Sequence, residues 1–237
     1  MRVLVGTSGY SYKEWKGSFY PEDLKPTGML SYYATRLQTV EINNTFYRMP
    51  TRELVAGWAK QVPGSFSFAL KAPQRITHQK KLAGAGEEVG RFIEAASELG
   101  DKLGPTLFQL PPWLKKDDSL LGGFLAGLPS GWRAAFEFRN PSWFDETTYD
   151  LLRAGNAALV LSDMDGKEEP RLVATATHGY LRLRRSTYDE AALKLWADRV
   201  AGQAWEQAHV FFKHEDEGAA PRMAAGFIAA LSPDRTA

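Results

Sequence analysis

The sequence contains no cysteine, which excludes disulfides, thiolate nucleophiles and cysteine metal sites. Such a composition is typical of a reducing compartment, and we expect a cytoplasmic protein. The apolar part of the opening MRVLVGTSGYSY is too short for the hydrophobic region of a signal peptide. No later apolar run approaches the roughly 18 residues of a membrane span, so no membrane partner is expected.

The sequence also lacks an excess of either charge. Lys and Arg total 29 against 28 Asp and Glu, so any electropositive site must arise from local arrangement. There is no GxGxxG fingerprint, no GxSxG nucleophile motif, and no HxH or HExxH spacing among the histidines. The acidic HEDE run at 214–217 is typical of a solvated loop. We therefore predict no metal and no cofactor.

Segments with strand character alternate with helical segments along the chain. The predicted strands are VLVGTSG (3–9), TVEINNTFYRMP (39–50), SFSFALKAP (65–73), PTLFQLPP (105–112), RAAFEFRN (133–140), NAALVLSD (156–163), GYLRLRR (179–185) and AHVFFKHE (208–215). Helical patterns separate most of them, including an amphipathic helix in GEEVGRFIEAASELGDKLG (86–104) and one from Asp145 to Ala154 capped by Asp145. This alternation favours an α/β fold, a TIM-barrel-like (β/α)8 closed parallel barrel with helices outside, in one domain over 1–237. A doubly wound open sheet is the competitor.

A period of two runs through six of the predicted strands. In FEFRN, Phe136 and Phe138 alternate with Glu137 and Arg139. Because helices cover the outside of a barrel, the large apolar residues should face outward and the polar ones inward. The same alternation predicts further inward positions for Glu41, Asn43, Lys71, Gln109, Arg182, Arg184 and Lys213.

The predicted interior holds more cations than anions. Lys71, Arg139, Arg182, Arg184 and Lys213 stand against Glu41 and Glu137. A buried unpaired charge costs several kcal/mol, and most of these residues come late in their strands, where barrel active sites form. The pattern therefore predicts a pocket for phosphate, sulfate or carboxylate groups at the C-terminal mouth. The alternative is a network of ion pairs that only fills a wide barrel.

Aromatic residues cluster in the loops that should border this mouth. Tyr10, Trp15, Tyr47 and Trp143, with His78, are predicted to provide a stacking and hydrogen-bonding rim for a ligand. The alternative is that they pack loop against loop. Glu41, Glu137 and Lys213 are the catalytic candidates, which would move protons or orient the cations. A glycosidase-type carboxylate pair is less favoured, because neighbouring cations would lower both pKa values.

Several long motifs resemble the YecE-like family, known as domain of unknown function 72. They are GTSGYSYKEWKGSFYP, VEINNTFYRMP, the ITH of 76–78, LFQLPP, FEFRNPSWF, GYLRLRR and FFKHEDEGAAP. The resemblance implies a TIM-barrel-like fold and no particular reaction. One common family form has two asparagines where His214 and Glu215 follow Lys213 here, and His-Gly where Arg184 and Arg185 stand. These differences make the rim more positive.

The sequence thus predicts an enzyme that acts on a phosphorylated or otherwise anionic small molecule. The alternative is a non-catalytic or metal-dependent nucleic-acid-binding protein that uses the same cations on phosphates and the aromatics on unpaired bases. The near-neutral net charge of +1 favours the small molecule. The oligomeric state is left open.

Overall fold

A computed structural model describes residues 1–213 and 216–231 of the chain. Within these residues the strands are β1 (Arg2–Ser8), β2 (Thr39–Ile42), β3 (Ser67–Lys71), β4 (Leu103–Gln109), β5 (Ala134–Glu137), β6 (Ala158–Leu159), β7 (Leu161–Asp163), β8 (His178–Leu183) and β9 (Gln207–Phe212). The α-helices are α1 (Met29–Tyr33), α2 (Asn44–Tyr47), α3 (Arg52–Ala59), α4 (Gly86–Ala96), α5 (Asp118–Ala126), α6 (Glu146–Ala154), α7 (Glu190–Ala201) and α8 (Ala219–Ala230).

The strands form one parallel sheet that curls into a nearly closed barrel. Its order runs from β6 through β5, β4, β3, β2, β1, β9 and β8 to β7, and the neighbouring strands pair in parallel. The chain itself joins the two ends of this order, because β6 and β7 are separated by Val160 alone. The predicted TIM-barrel-like fold is therefore confirmed, with the helices lying around the strands.

The sixth predicted strand is not continuous. The Val160 N–H still donates to the Phe136 carbonyl on β5 at 2.9 Å, but β7 pairs with β8, beginning with Leu161 opposite Leu181. The prediction of one unbroken strand over 156–163 is thus corrected. The chain changes neighbours at Val160, so the barrel wall parts between the C-terminal ends of β5 and β7.

The connection from β7 to β8 differs from the other connections. Residues 164–177, all of them described, contain no helix. The end of this segment lies along the free edge of β6, where the Thr175 hydroxyl donates to the Ala157 carbonyl at 2.7 Å and accepts from the Leu159 N–H at 2.8 Å. An irregular strap, residues 164–177, therefore covers the wall where a barrel helix would normally lie.

The two faces of the barrel wall carry the two predicted sets of side chains. Phe136 and Phe138 lie in the core between strands and helices, where Phe136 contacts Phe124 of α5 with ring centroids 6.1 Å apart. A separate small apolar cluster fills the inside: Ala69, Leu107, Ala135, Ala158, Val160, Tyr180 and Phe211. The predicted inward and outward directions are confirmed for these strands.

Two helix boundaries illustrate local control by sequence. Asp145 caps α6 as predicted, accepting a hydrogen bond from the Thr148 N–H at 2.9 Å. In contrast, α4 ends at Ala96 and a 3-10 segment follows to Lys102, so the predicted helix over 86–104 is too long. Gly100 has φ 54, a left-handed conformation that glycine adopts easily and that an α-helix cannot continue through.

In the described part of the chain, the helices fall short of the length and apolar character that crossing a bilayer requires.

Candidate anion site at the barrel mouth

Arg182, on β8, lies at the centre of a buried charged cluster. Its Nη2 donates to Glu41 Oε1 of β2 at 2.9 Å, and its Nη1 donates to Glu137 Oε2 of β5 at 2.5 Å. The Arg182 side chain is 3% exposed, and those of Glu41 and Glu137 are 0% and 3% exposed. The guanidinium thus bridges two carboxylates across the barrel, which is the arrangement that offsets the cost of burying all three charges.

Glu41 has a full set of hydrogen-bond donors. Oε1 accepts from the Ser8 hydroxyl at 2.7 Å and from Asn43 Nδ2 at 3.1 Å, and Oε2 accepts from the Tyr180 hydroxyl at 2.7 Å. Together with Arg182, these donors occupy both oxygens of a carboxylate that solvent does not reach. Glu41 is therefore held as a fixed anion.

Glu137 faces the mouth and contacts more than one cation. Besides Arg182, its Oε1 lies 3.3 Å from Arg139 Nε and 3.8 Å from Arg184 Nη1. The Arg139 side chain is 38% exposed, while that of Arg184 is 15% exposed. Each outer guanidinium group makes one long contact to Glu137, and Arg184 Nη1 also lies 4.0 Å from Met164 Sδ. Most of their donors thus have no partner among the described residues and are left for water or a ligand.

Lys71 closes the other side of the cluster at the end of β3. Its Nζ donates to Gln109 Oε1 at 2.9 Å and lies 3.9 Å from the centroid of the Phe46 ring. A neutral amide and an aromatic face stabilise an ammonium group less than a carboxylate does. Burial, followed by the charge of Arg182, lowers the pKa of Lys71 to about 8. Lys71 is thus a titratable amine near neutral pH.

The two carboxylates stay ionised, as predicted from their cationic neighbours. Burial is the largest single influence and would raise both pKa values, but for Glu41 the charge of Arg182 and the hydrogen bonds from Ser8, Tyr180 and Arg182 together outweigh it, so the pKa is lowered. For Glu137, Arg182 and then Arg139 overcome burial and lower the pKa to about 2. Neither carboxyl group would hold a proton at neutral pH, so neither suits the acid role of a glycosidase pair.

Two of the predicted rim aromatics are buried inside loop packing. Trp15 is 0% exposed and contacts Tyr12 and Tyr20. Trp143 is also 0% exposed; its ring stacks on Phe138 at 4.7 Å and its Nε1 donates to the Leu114 carbonyl at 2.8 Å. In this structure the two tryptophans support the loops, and they offer no free face to a ligand.

Tyr10 lines a groove beside Leu30 and Trp58, between α1 and α3, and no residue of the charged cluster lines that groove.

A different row of rings borders Lys71. Tyr47, which is 74% exposed, contacts Phe46; Phe46 contacts His78 with centroids 4.9 Å apart; and His78 contacts Trp113, which is 63% exposed. Burial, then Lys71 and Arg139, lower the pKa of His78. Of the predicted rim residues, Tyr47 and His78 belong to this row.

The sequence interpretation missed Tyr180, Phe46 and Trp113. Tyr180 alternates with Arg182 in GYLRLRR, so the period of two could have identified it as inward. Phe46 lies in the short helix α2 after β2, and Trp113 lies in the turn after β4; neither segment is long enough for a periodicity that would mark a direction. Lys213 follows β9, and its N–H donates to the Leu183 carbonyl at 3.1 Å. His214 and Glu215 lie outside the described residues.

A cavity of about 810 Å³ opens beside Glu137 of the cluster. Glu137, Arg139 and Arg184 line it together with apolar residues of β6, β7 and the strap, and the charged strap residues Lys167, Glu168, Glu169 and Arg171 line it as well. Its size falls within the range of small-molecule sites, about 300–1,000 Å³.

Among the described residues, no group of three or more His, Asp or Glu side chains is placed to hold a metal ion.

Known proteins resemble this chain in sequence and fold. It is 33% identical to the UPF0759 protein YecE of Escherichia coli strain K12 over 116 residues, which are 48% of this chain and 43% of YecE. It is 28% identical to the UPF0759 protein YunF of Bacillus subtilis strain 168 over 156 residues, 62% of this chain and 54% of YunF. The chain thus spans about half the length of these curated relatives.

A solved structure extends the likeness over nearly the whole fold. The crystal structure of a DUF72 family protein from Thermotoga maritima MSB8 superposes with a TM-score of 0.81 at 28% identity, covering 97% of this chain and 98% of that one. The family model described as protein of unknown function DUF72 matches residues 4–237. Motifs, barrel and family model agree, and this chain belongs to the DUF72 family.

Proposed function

We propose that the barrel mouth binds and transforms a small phosphorylated or otherwise anionic molecule. The observation that carries this proposal is the contrast in pairing within the charged cluster. Arg182 forms ion pairs with both Glu41 and Glu137. Arg139 and Arg184 make longer contacts to Glu137, and Lys71 donates to the neutral amide of Gln109. An anion placed among these three groups would supply the missing negative charge.

Each residue has a distinct role in this proposal. Arg139 and Arg184 bind the anion with their free donors, and Arg182 is a positioning residue that holds Glu41 and Glu137. Lys71, whose pKa of about 8 lets it exchange a proton near neutral pH, is the candidate acid or base. Glu137 and Gln109 orient the cations, Asn43 helps to hold Glu41, and Lys213 remains a catalytic candidate from the neighbouring strand.

Calorimetric titration of the full chain tests the proposal. The ligands are inorganic phosphate and, separately, a panel of simple phosphate monoesters. We expect saturable binding that Arg139→Met weakens about tenfold or more, since hydrogen bonds to charged groups contribute about 1.5–3 kcal/mol. Arg91→Met is the matched control, because Arg91 pairs with Glu87 on the exposed face of α4. Equal phosphate affinity in the wild type and Arg139→Met would overturn the proposal, and turnover of one monoester would establish an enzyme.

The second candidate is a binder of single-stranded nucleic acid. The exposed rings of Tyr47 and Trp113, in a row beside Lys71, favour it, because bases stack on such rings while cations contact phosphates. Fluorescence anisotropy with a labelled oligonucleotide separates the candidates. Binding that falls steeply with salt and is lost in Trp113→Ala would favour the nucleic-acid binder. Saturable turnover of a monoester would favour the enzyme.

A further inference from the structure

The cavity beside the anion site has more volume than an anion needs, and much of its lining is apolar. Leu159 and Leu161 contribute from the parted wall, Phe138 and Phe144 from the loop after β5, and Leu172 and Val173 from the strap. Four charged side chains of the strap, Lys167, Glu168, Glu169 and Arg171, also line it. Arg139 and Arg184 line the same volume of about 810 Å³, so it offers both cationic and apolar surface to one ligand.

The cavity follows directly from two irregularities of the fold. The sixth strand leaves β5 at Val160, which opens the wall above that point. The strap replaces a helix, and it is anchored at its end by Thr175 and at Glu169 by an ion pair with Arg199 of α7. Between these anchors Leu172 and Val173 line the cavity together with Leu159 and Leu161, and Leu172 also packs against the buried core that includes Leu161.

Trp205 also lines the cavity. This ring is 7% exposed and lies against Gly179, where any Cβ would collide with it. Within the described chain the Trp205 Nε1 has no hydrogen-bond partner. A buried indole N–H usually has one, and an oxygen atom of a ligand in this cavity would supply it.

We infer that the substrate is an amphipathic anion, whose phosphate or carboxylate head lies at Arg139 and Arg184 and whose apolar tail lies under the strap. This inference rests on the proposed function and names the substrate class of the same site. Arg139 and Arg184 complement the charge of such a ligand, and the apolar side chains of the same lining complement its tail. A free phosphate or a short sugar phosphate would leave the space under the strap filled with water against apolar walls.

Titration of the full chain with inorganic phosphate, butyl phosphate and octyl phosphate, each below its micelle concentration, tests the inference. We expect affinity to rise along this series by up to roughly three- to fourfold for each methylene that becomes buried. Octyl glucoside, which has the tail without the charge, should bind at least tenfold more weakly than octyl phosphate.

Val173→Trp places a large ring from the strap into the cavity, and Leu172→Trp does the same from the neighbouring position should the first variant fold poorly. We expect both to keep the phosphate affinity and to lose most of the gain from the octyl chain. Leu195→Trp, at a side chain of α7 that is 46% exposed, is the matched control and should behave as the wild type.

The outcomes separate the inference from the proposal beneath it. Phosphate binding with no gain from the octyl chain, or an equal gain in the tryptophan variants, would overturn the tail site and leave the anion site standing. Octyl glucoside binding as tightly as octyl phosphate would also overturn it, because the head would then contribute nothing. Absence of binding by phosphate and octyl phosphate alike would overturn both.

Discussion

Arg182 and Arg139 both contact Glu137, yet their surroundings differ. Arg182 is 3% exposed and bridges two carboxylates, whereas Arg139 is 38% exposed and makes one contact of 3.3 Å. The inner region, made of Arg182, Glu41 and Tyr180, is a hydrogen-bonded network that fills the barrel, and within it only Arg182 Nε has no partner among the described residues. The outer region is made of Arg139 and Arg184, which line the cavity, and of Lys71, which lies beside Gln109 and Phe46. Of the two alternatives that the sequence left open, the filling network describes the inner region, and the anion pocket is our proposal for the outer one.

The largest loss of stability is expected from a substitution in the inner region. Arg182→Met would leave Glu41 and Glu137 buried without their shared cation, and we expect it to lower the free energy of unfolding by about 3–5 kcal/mol. Urea denaturation followed by circular dichroism measures this. A loss below about 1 kcal/mol would mean that the inner network contributes little, and the distinction between the two regions would fail.

Removing one negative charge between the regions sharpens the comparison. Glu137→Gln keeps the shape of the side chain but removes the charge that Arg182, Arg139 and Arg184 share. We expect stability to fall by about 2 kcal/mol, the range of a hydrogen bond to a charged group. Phosphate affinity should rise about threefold, because the outer cations lose their competitor. A fall in affinity would indicate that Glu137 itself contacts the ligand.

The charge of Lys71 gives the outer region a pH dependence. Its pKa is lowered from 10.5 to about 8, so the amine loses its proton between about pH 7 and 9, while ordinary lysines stay charged. Binding of sulfate, which does not titrate in this range, should weaken about three- to tenfold over that interval. Lys71→Met should bind sulfate more weakly and without this dependence. The same slope in both proteins would exclude Lys71 as its source.

The lowered pKa also affects stability, in the opposite direction. Between about pH 8 and 10.5 the unfolded chain binds a proton on Lys71 that the folded chain has lost. The free energy of unfolding contributed by this residue therefore rises with pH across that window. Comparing wild type with Lys71→Met in urea at pH 7.5 and 10 isolates this contribution from those of other groups.

The directions of the strands could be predicted from sequence because alternation is a local property. Phe136 and Phe138 against Glu137 and Arg139 determine which face is outward once helices are known to surround the sheet. The pairing could not be predicted. That Arg182 reaches Glu41 and Glu137, and Lys71 only Gln109, depends on distances across the barrel that no single strand encodes.

The loops were harder for the same reason. Trp15 and Trp143 stand in aromatic-rich turns without periodicity, and composition alone did not distinguish a buried ring from an exposed one. The interruption at Val160 left no mark either, because NAALVLSD reads as an ordinary strand. The strap had a signal in Gly166 and Pro170, which disfavour a helix there, although neither residue predicts the cavity beneath it.

The smallest change in stability is expected from a substitution of Arg139 in the outer region. Arg139→Met removes a partly exposed cation whose one contact is long, and exposed ion pairs contribute about 0–1 kcal/mol. We therefore expect the free energy of unfolding to change by less than about 0.5 kcal/mol while phosphate binding weakens about tenfold or more. Urea denaturation and phosphate titration on the same preparation measure both. If Arg139→Met instead stabilised the protein and left binding intact, the outer cations would be part of the filling network, and the region at the mouth would differ from the inner one only in exposure.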